Sequence, residues 1–266
     1  MADPRSRRLL VERLTWIGLG LSVAAILLAL IAAFGSGQGW WHFRPAFFAL
    51  RIAFFAALAG GLLALVALLI RTRGRRRRVT MAGIAALLLA AGFSGYIGWQ
   101  ARTARALPPI HDITTNLENV PEFYRLRVRT DNFDIVPHMG RQDLHPLAPE
   151  DRWKVIHREA YPDLRTIHVP WPPAQTIQRA ADLARARGWE FATISPDAGV
   201  LEATDTSRFF RFKDDIVVRA RRAPQGGSLV DMRSISRVGV SDIGVNARRI
   251  RSFLADLREG APQRPA

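Results

Sequence analysis

The chain has 266 residues, is 48% hydrophobic, and carries 38 Lys and Arg against 23 Asp and Glu, a formal charge of +15. The excess is lopsided: 12 of the basic and 2 of the acidic side chains precede residue 102, and the mildly basic remainder has no arginine-rich groove, which argues against nucleic acid as a partner. With zero Cys, disulfides, thiolate zinc sites, iron–sulfur clusters and cysteine nucleophiles are excluded.

A basic tail, residues 1–13, leads into an uncharged run over residues 14–34, long enough at about 1.5 Å per residue to cross a hydrocarbon core of roughly 30 Å. A second run, residues 46–70, is broken only by Arg51, and a third covers residues 79–99 without a charge. A cleaved signal peptide competes for the first run, because Arg5, Arg7 and Arg8 precede it, but its apolar core exceeds the usual length of about 7–15 residues. The expectation is three transmembrane helices over residues 14–101.

Residues 71–79 read RTRGRRRRV, and short arginine-rich loops stay in the cytoplasm. With the tail also basic, this predicts a cytoplasmic N-terminus in a bacterial inner membrane and a periplasmic domain over residues 102–266. Trp40, Trp41 and Trp99 then fall at the outer interface. Arg51 is read as snorkelling to the headgroups, and the run from Arg75 to Arg78 as setting topology. Gly60, Gly61 and Ala64, with Gly92, Gly95 and Gly98, offer small faces for helix packing. The spans hold no acidic residue or His, which makes them an anchor in contact with the lipid bilayer rather than a transport route.

Beyond residue 102 prolines punctuate the chain as far as Pro173, so residues 102–172 are expected to be irregular and to wrap the core or cross from the membrane. The regular core is placed at residues 173–259. Residues 174–187 form a helix with Ile177, Ala180, Ala181, Leu183 and Ala184 on one face and Gly188 as its stop. Strands follow at residues 189–194, 199–205, 208–221 and 228–238, each rich in β-branched or aromatic side chains. The final helix, residues 245–258, buries Ile250, Phe253, Leu254 and Leu257 and turns its arginines outward, with Ser241 and Asp242 as capping candidates. The predicted class is an α+β domain (helix, four-stranded antiparallel meander, helix), with its helices on one sheet face, preceded by three transmembrane α-helices.

Strand alternation sorts the polar residues. Asp214, Ile216, Val218 and Ala220 share one face, opposite a row of Val230, Met232, Ser234 and Ser236, while Asp215, Arg233 and Arg237 lie on the other. Strand-end twist that brings Arg237 round gives a polar cluster of Asp214, Ser234, Ser236, Arg237, Ser241, Asp242 and Asn246 at the sheet end. One reading is a satisfied corner in which Asp214 pairs with Arg237 and Asn246 bonds a loop carbonyl. The other is a pocket for a small anionic ligand. Hydrolysis by the region of Asp214, Ser236, Asp242 and His111 is a third, but GxSxG, HExxH, SxxK and GxGxxG are all absent. His111, His138, His145, His157 and His168 are scattered without metal-ligand spacing, so neither a metal nor another cofactor is expected.

Four strings in this region resemble the bacterial domain-of-unknown-function family numbered 1499: HDITT from His111, AYPD from Ala160, FKDD from Phe212, and RSISRVGVSDIGVN from Arg233. The likeness extends over about residues 109–257, and the membrane-anchored arrangement is similar to that of bacterial members. The family has no established reaction, so the resemblance implies fold and location and carries over no catalytic residue. An anchor without transport residues joined to a domain without a catalytic motif leads to a binding or scaffolding module, with an envelope protein or a small anionic ligand as partner. The alternative is a membrane-tethered hydrolase acting on an envelope substrate.

Overall fold

The computed structural model describes residues 4–70 and 77–260; the start of the N-terminal tail and most of the arginine-rich loop, residues 71–76, lie outside the described residues. The chain forms two compact units, Met1–Arg102 with Arg208–Arg211, and Thr103–Ser207 with Phe212–Ala266.

The first unit contains helices α1 (Pro4–Gly37), α2 (Phe43–Ile70) and α3 (Arg77–Ala106), each long and apolar enough to cross a membrane. All three outrun their apolar stretches. Helix α3 continues through Arg102 and Arg105, past the expected start of irregular chain, because no proline interrupts its good helix formers before Pro108. Small residues bring α1 and α2 together: a Cβ at Gly60 would lie 2.7 Å from Ser22 Oγ, and the Ser22 hydroxyl donates back to the Gly18 carbonyl at 2.9 Å. A Cβ at Gly61 would lie 2.8 Å from the Ala90 methyl. The expected packing face of Gly92, Gly95 and Gly98 is not used; among the described residues nothing lies within 4 Å of a Cβ placed there.

The second unit is α+β. Strands β1 (Asp112–Thr114), β2 (Ile167–Val169), β3 (Glu190–Ser195), β4 (Val200–Thr206), β5 (Lys213–Arg222) and β6 (Ser228–Ser236) form an antiparallel sheet in the order β1-β6-β5-β4-β3. Strand β2 also pairs with β6, so β1 and β2 share one edge of that strand while β5 runs along the other. The last four strands are the expected meander. Strand β5 starts later than residue 208 because Arg211 takes a left-handed φ of 51° and the Ser207 hydroxyl accepts the Phe212 amide.

Helices α4 (Pro149–Ala160), α5 (Pro173–Ala186) and α6 (Val245–Glu259) complete the domain, with a 3-10 turn at Gln142–Leu144. The stretch read as irregular thus contains a helix and two short strands. Its helix, α4, escapes a purely apolar pattern because Arg152 and His157 are buried alongside Trp153 and Ile156. The core joins Leu201, Ala203, Ile216, Val218, Val230 and Met232 of the sheet to Ile177 and Ala181 of α5 and to Ile250, Phe253 and Leu257 of α6. Trp189 stacks on Phe253 with ring centres 5.1 Å apart.

Candidate functional site

The row predicted from alternation is paired in register: Asp214 faces Ser236, Ile216 faces Ser234, and Val218 faces Met232. Where this row meets α6, apolar packing gives way to a polar corner. Asn246 sits at its centre, fully buried. Its Nδ2 donates to the His111 carbonyl at 2.9 Å and to Ser236 Oγ at 3.0 Å, and its Oδ1 accepts from the Ser234 hydroxyl at 2.7 Å.

Asp242 closes the approach to α6. Its Oδ1 accepts the Gly244 amide at 2.9 Å and its Oδ2 the Asn246 amide at 2.6 Å, satisfying helix-start donors that would otherwise lack partners. Burial pushes the Asp242 carboxyl above its ordinary range, against the pull of those two amides. Ser241 Oγ accepts the Ile243 amide at 3.2 Å, and Ile243 is held at φ 54°. Gly244 is required on two counts: its φ is 73°, and a Cβ there would come within 2.7 Å of Leu107 Cδ1.

The partner of Asp214 is Arg249, not Arg237. Arg249 Nη2 donates to Asp214 Oδ2 at 2.7 Å and to Asp205 Oδ2 at 2.8 Å, and its Nη1 donates to Ser234 Oγ at 3.0 Å and to Asn246 Oδ1. Strand alternation keeps Arg237 on the opposite face, where it grips Asp215 through two bonds of 2.8 Å and reaches Thr204. The bond to Asp215 raises the Arg237 pKa further. Six of the seven predicted residues therefore lie around the α6 end of the row, and Arg237 lies apart from them. Arg249, which the helical pattern assigns to the outer face of α6, is an inner member of the corner, with its side chain 8% exposed. Its position three residues after Asn246 was the available signal.

The opposite face of the sheet carries a second polar assembly. The Arg233 guanidinium holds Asp112 through bonds of 2.6 and 2.9 Å, and Asn132 Nδ2 adds a third at 2.7 Å. Burial drives the Asp112 carboxyl up, but Arg233 outweighs it and holds the group below the usual carboxylate range. Asp231 accepts from Asn116, Thr166, Arg219 and Arg221; burial drives its carboxyl up, but the bonds from Thr166, Arg219 and Arg221 outweigh it and hold the group below the usual range. Glu202 accepts the backbone amides of Tyr124, Arg125 and Leu126. The irregular chain between β1 and α4 is thus fixed to this face by charge.

Beside α4 lies a groove of about 460 Å³ whose wall includes Thr115, Asn116, His157, Arg158, Tyr161 and Thr166. His157 Nε2 accepts the Thr114 amide at 3.0 Å, which assigns the ring proton to Nδ1; burial pushes its pKa down to about 4. Burial, and then Asp242, push the Tyr161 hydroxyl up to about 12, so both side chains are neutral near pH 7. Arg158 and Arg165 bring positive charge to the same wall.

The histidines serve separate structures. The His111 ring bonds Asn132 at 3.0 Å, and it is its backbone carbonyl that meets Ser236 and Asn246. His138 meets His145, and His168 meets the Gly226 carbonyl. Among the described residues no three His, Asp or Glu side chains are grouped to hold a metal ion.

No curated protein and no solved structure matches the chain. The profile described as "Protein of unknown function (DUF1499)" matches residues 112–257 and takes in β1, the whole meander and nearly all of α6; the chain belongs to that family.

Proposed function

We propose that this protein is a binding module of the bacterial envelope: a three-helix anchor in the inner membrane holds a periplasmic domain whose groove beside α4 takes a small anionic or polar ligand. The polar cluster of Asp214, Ser234, Ser236, Ser241, Asp242 and Asn246, extended by Arg249, acts in this reading as a structural lock. Arg237 pins the opposite face. The observation that carries the proposal is the mutual bonding of that cluster: Asp214 Oδ2 is held by Arg249, both Asp242 oxygens accept amides at the start of α6, the Ser234 hydroxyl donates to Asn246 and Ser236 Oγ accepts from it. A general base or nucleophile would have to leave these bonds before reacting. The groove, in contrast, is open and is lined by Arg158, Arg165 and Glu118, with Arg158 and Glu118 in an exposed pair that a ligand anion would have to replace. The inward orientation of the N-terminus rests on the positive-inside pattern of residues 1–13 and 71–79.

The test is thermal unfolding of the detergent-solubilised chain with a panel of small carboxylates and phosphates. The expected result is a stabilising shift that Arg158→Gln with Arg165→Gln abolishes and Asp214→Asn retains. A shift lost in Asp214→Asn and kept in the arginine variant would move the site to the cluster, and ester or amide turnover abolished by Ser236→Ala would replace the reading with a hydrolase. Because the chain has no Cys, a single cysteine at Gln225, probed in intact cells with a membrane-impermeant maleimide, reports the side on which the domain lies.

A further inference from the structure

The loop between β6 and α6 carries an apolar surface that neither the lock nor the groove explains. Among its described residues the Thr103–Ser207 and Phe212–Ala266 unit exposes five large apolar side chains, and three of them are Val238, Val240 and Val245. Their exposures of 40%, 44% and 39% occur within eight residues of chain, and such clustering marks an interaction surface rather than scattered surface hydrophobics. The loop is held stiffly. Arg129 Nη1 donates to the Gly239 carbonyl at 2.7 Å, Asp242 and Ser241 fix the approach to α6, and Ile243 is kept in a left-handed conformation. A loop ordered in advance loses little conformational freedom when its side chains enter another phase.

Three observations indicate what covers it. First, Leu107, whose side chain meets Gly244 of this loop, is the residue directly after α3, a helix of membrane-spanning length. The loop therefore stands at the domain's own point of attachment to a membrane helix. Second, exposed arginines flank the valines in sequence: Arg237, which also holds Asp215, precedes Val238, Arg248 follows Val245 by one helical turn, and Arg105 ends α3, while Asp131 beside Gly239 is held by Arg129. Asp242, the one carboxylate within the loop, is turned onto helix amides. Third, β5 begins where β6 ends, with the Arg237 amide bonded to the Lys213 carbonyl, so Lys213 adds a further cation at this end of the sheet. Exposed valines with arginines on either side in sequence match a layer that is apolar below and anionic above.

We propose that this end of the domain rests on the lipid surface, with Val238, Val240 and Val245 at the acyl boundary and Arg105, Arg237 and Arg248 against anionic headgroups.

The full chain reconstituted in phosphatidylethanolamine–phosphatidylglycerol vesicles tests this. A Val240→Cys variant and a Gln225→Cys variant, the latter in the β5–β6 turn at the other end of the sheet, each accept one environment-sensitive fluorophore without background labelling, since the chain has no Cys. Blue-shifted emission at position 240, several-fold more strongly quenched by lipids spin-labelled near the headgroup than that at position 225, is expected. Adding Val238→Asp and Val245→Asp removes that quenching, while an unchanged thermal midpoint shows that the fold survives. Equal quenching at the two positions overturns the proposal. So does a blue shift at 240 that persists in detergent and is indifferent to quencher lipid, which assigns the surface to a protein partner or a second copy. If labelling at 240 lowers the thermal midpoint, Val245→Cys reads the same contrast.

Discussion

On the helix-covered face of the sheet, Ile216, Val218 and Met232 pack against α5 and α6, and polar groups enter only at one end, where Asn246 and Arg249 collect them. At alternate positions of the same strands, the other face presents Glu202, Asp215, Asp231 and Arg233, all buried, beneath an irregular segment without its own regular structure. The first face holds by excluding water from apolar area, which tolerates small shifts of packing. The second holds by ion pairs and amide–carboxylate bonds, which demand geometry and lose heavily when one member is removed. An irregular segment has few periodic apolar side chains to offer, and charge supplies the attachment instead.

Removing one member of the charged face gives the largest expected effect. Asp112→Ala leaves the Arg233 side chain, 8% exposed, without its carboxylate and is expected to cost about 3–5 kcal/mol, read by urea unfolding of the solubilised chain through Trp153 and Trp189. Replacing the pair together, Asp112→Leu with Arg233→Met, is expected to recover more than half of that loss. If the double variant is as unstable as the single one, the two faces do not differ in the way described.

Acid comes next. His157 is held at about 4 in the folded domain against about 6.5 when unfolded, so the unfolded chain binds the extra proton and stability falls as pH drops from about 6.5 to about 4, by about 3 kcal/mol at the end of that window. His111, lowered by burial, acts in the same direction. Asp112 contributes its own loss only in more acid solution, below its unfolded value of about 3.9, and Asp242, raised by burial, opposes these trends above that value. His157→Gln is expected to flatten the dependence between pH 7 and 5; an unchanged slope would assign it to other groups.

The lock is expected to be cheaper to break. Asn246→Ala strands the His111 carbonyl and the Ser234 and Ser236 hydroxyls, at about 1–3 kcal/mol, and speeds hydrogen exchange at the start of α6. A loss as large as that of Asp112→Ala would make the corner, rather than the charged face, the keystone of the domain. The smallest effect is at the groove: Arg158→Gln breaks an exposed pair with Glu118 and leaves stability unchanged within error.

Periodicity revealed the three long helices, α5, α6 and the meander, because each buries one apolar stripe or row. It also put Asp214 on the same face as Ser234 and Ser236, but the strand-end twist expected to bring Arg237 round to Asp214 does not occur, and Arg237 stays behind the sheet on Asp215. It failed where burial is polar. Helix α4 hides an arginine and a histidine, and β1 and β2 are three residues each, too short for a period to be read. Arg249 reads as one more arginine on a solvent face: its spacing from Asn246 is the one local hint, and the carboxylates that hold it, Asp205 and Asp214, come from two strands distant in sequence. Pro149 followed by Glu150 and Asp151 was a readable helix start, outweighed by the prolines around it.

Strand β6 has one further consequence, for the making of the protein. Its free edge is filled by β1 and β2, and Arg233 within it reaches back 121 residues to Asp112. A nascent chain that has reached only residue 227 has every partner of β6 in place and no β6. Such a topology forms late and slowly, because distant segments must meet before any of them is rewarded. While α1 to α3 form from local hydrogen bonds, the domain that follows them waits for residues 228 onward, and Asp112 remains hydrated until Arg233 arrives.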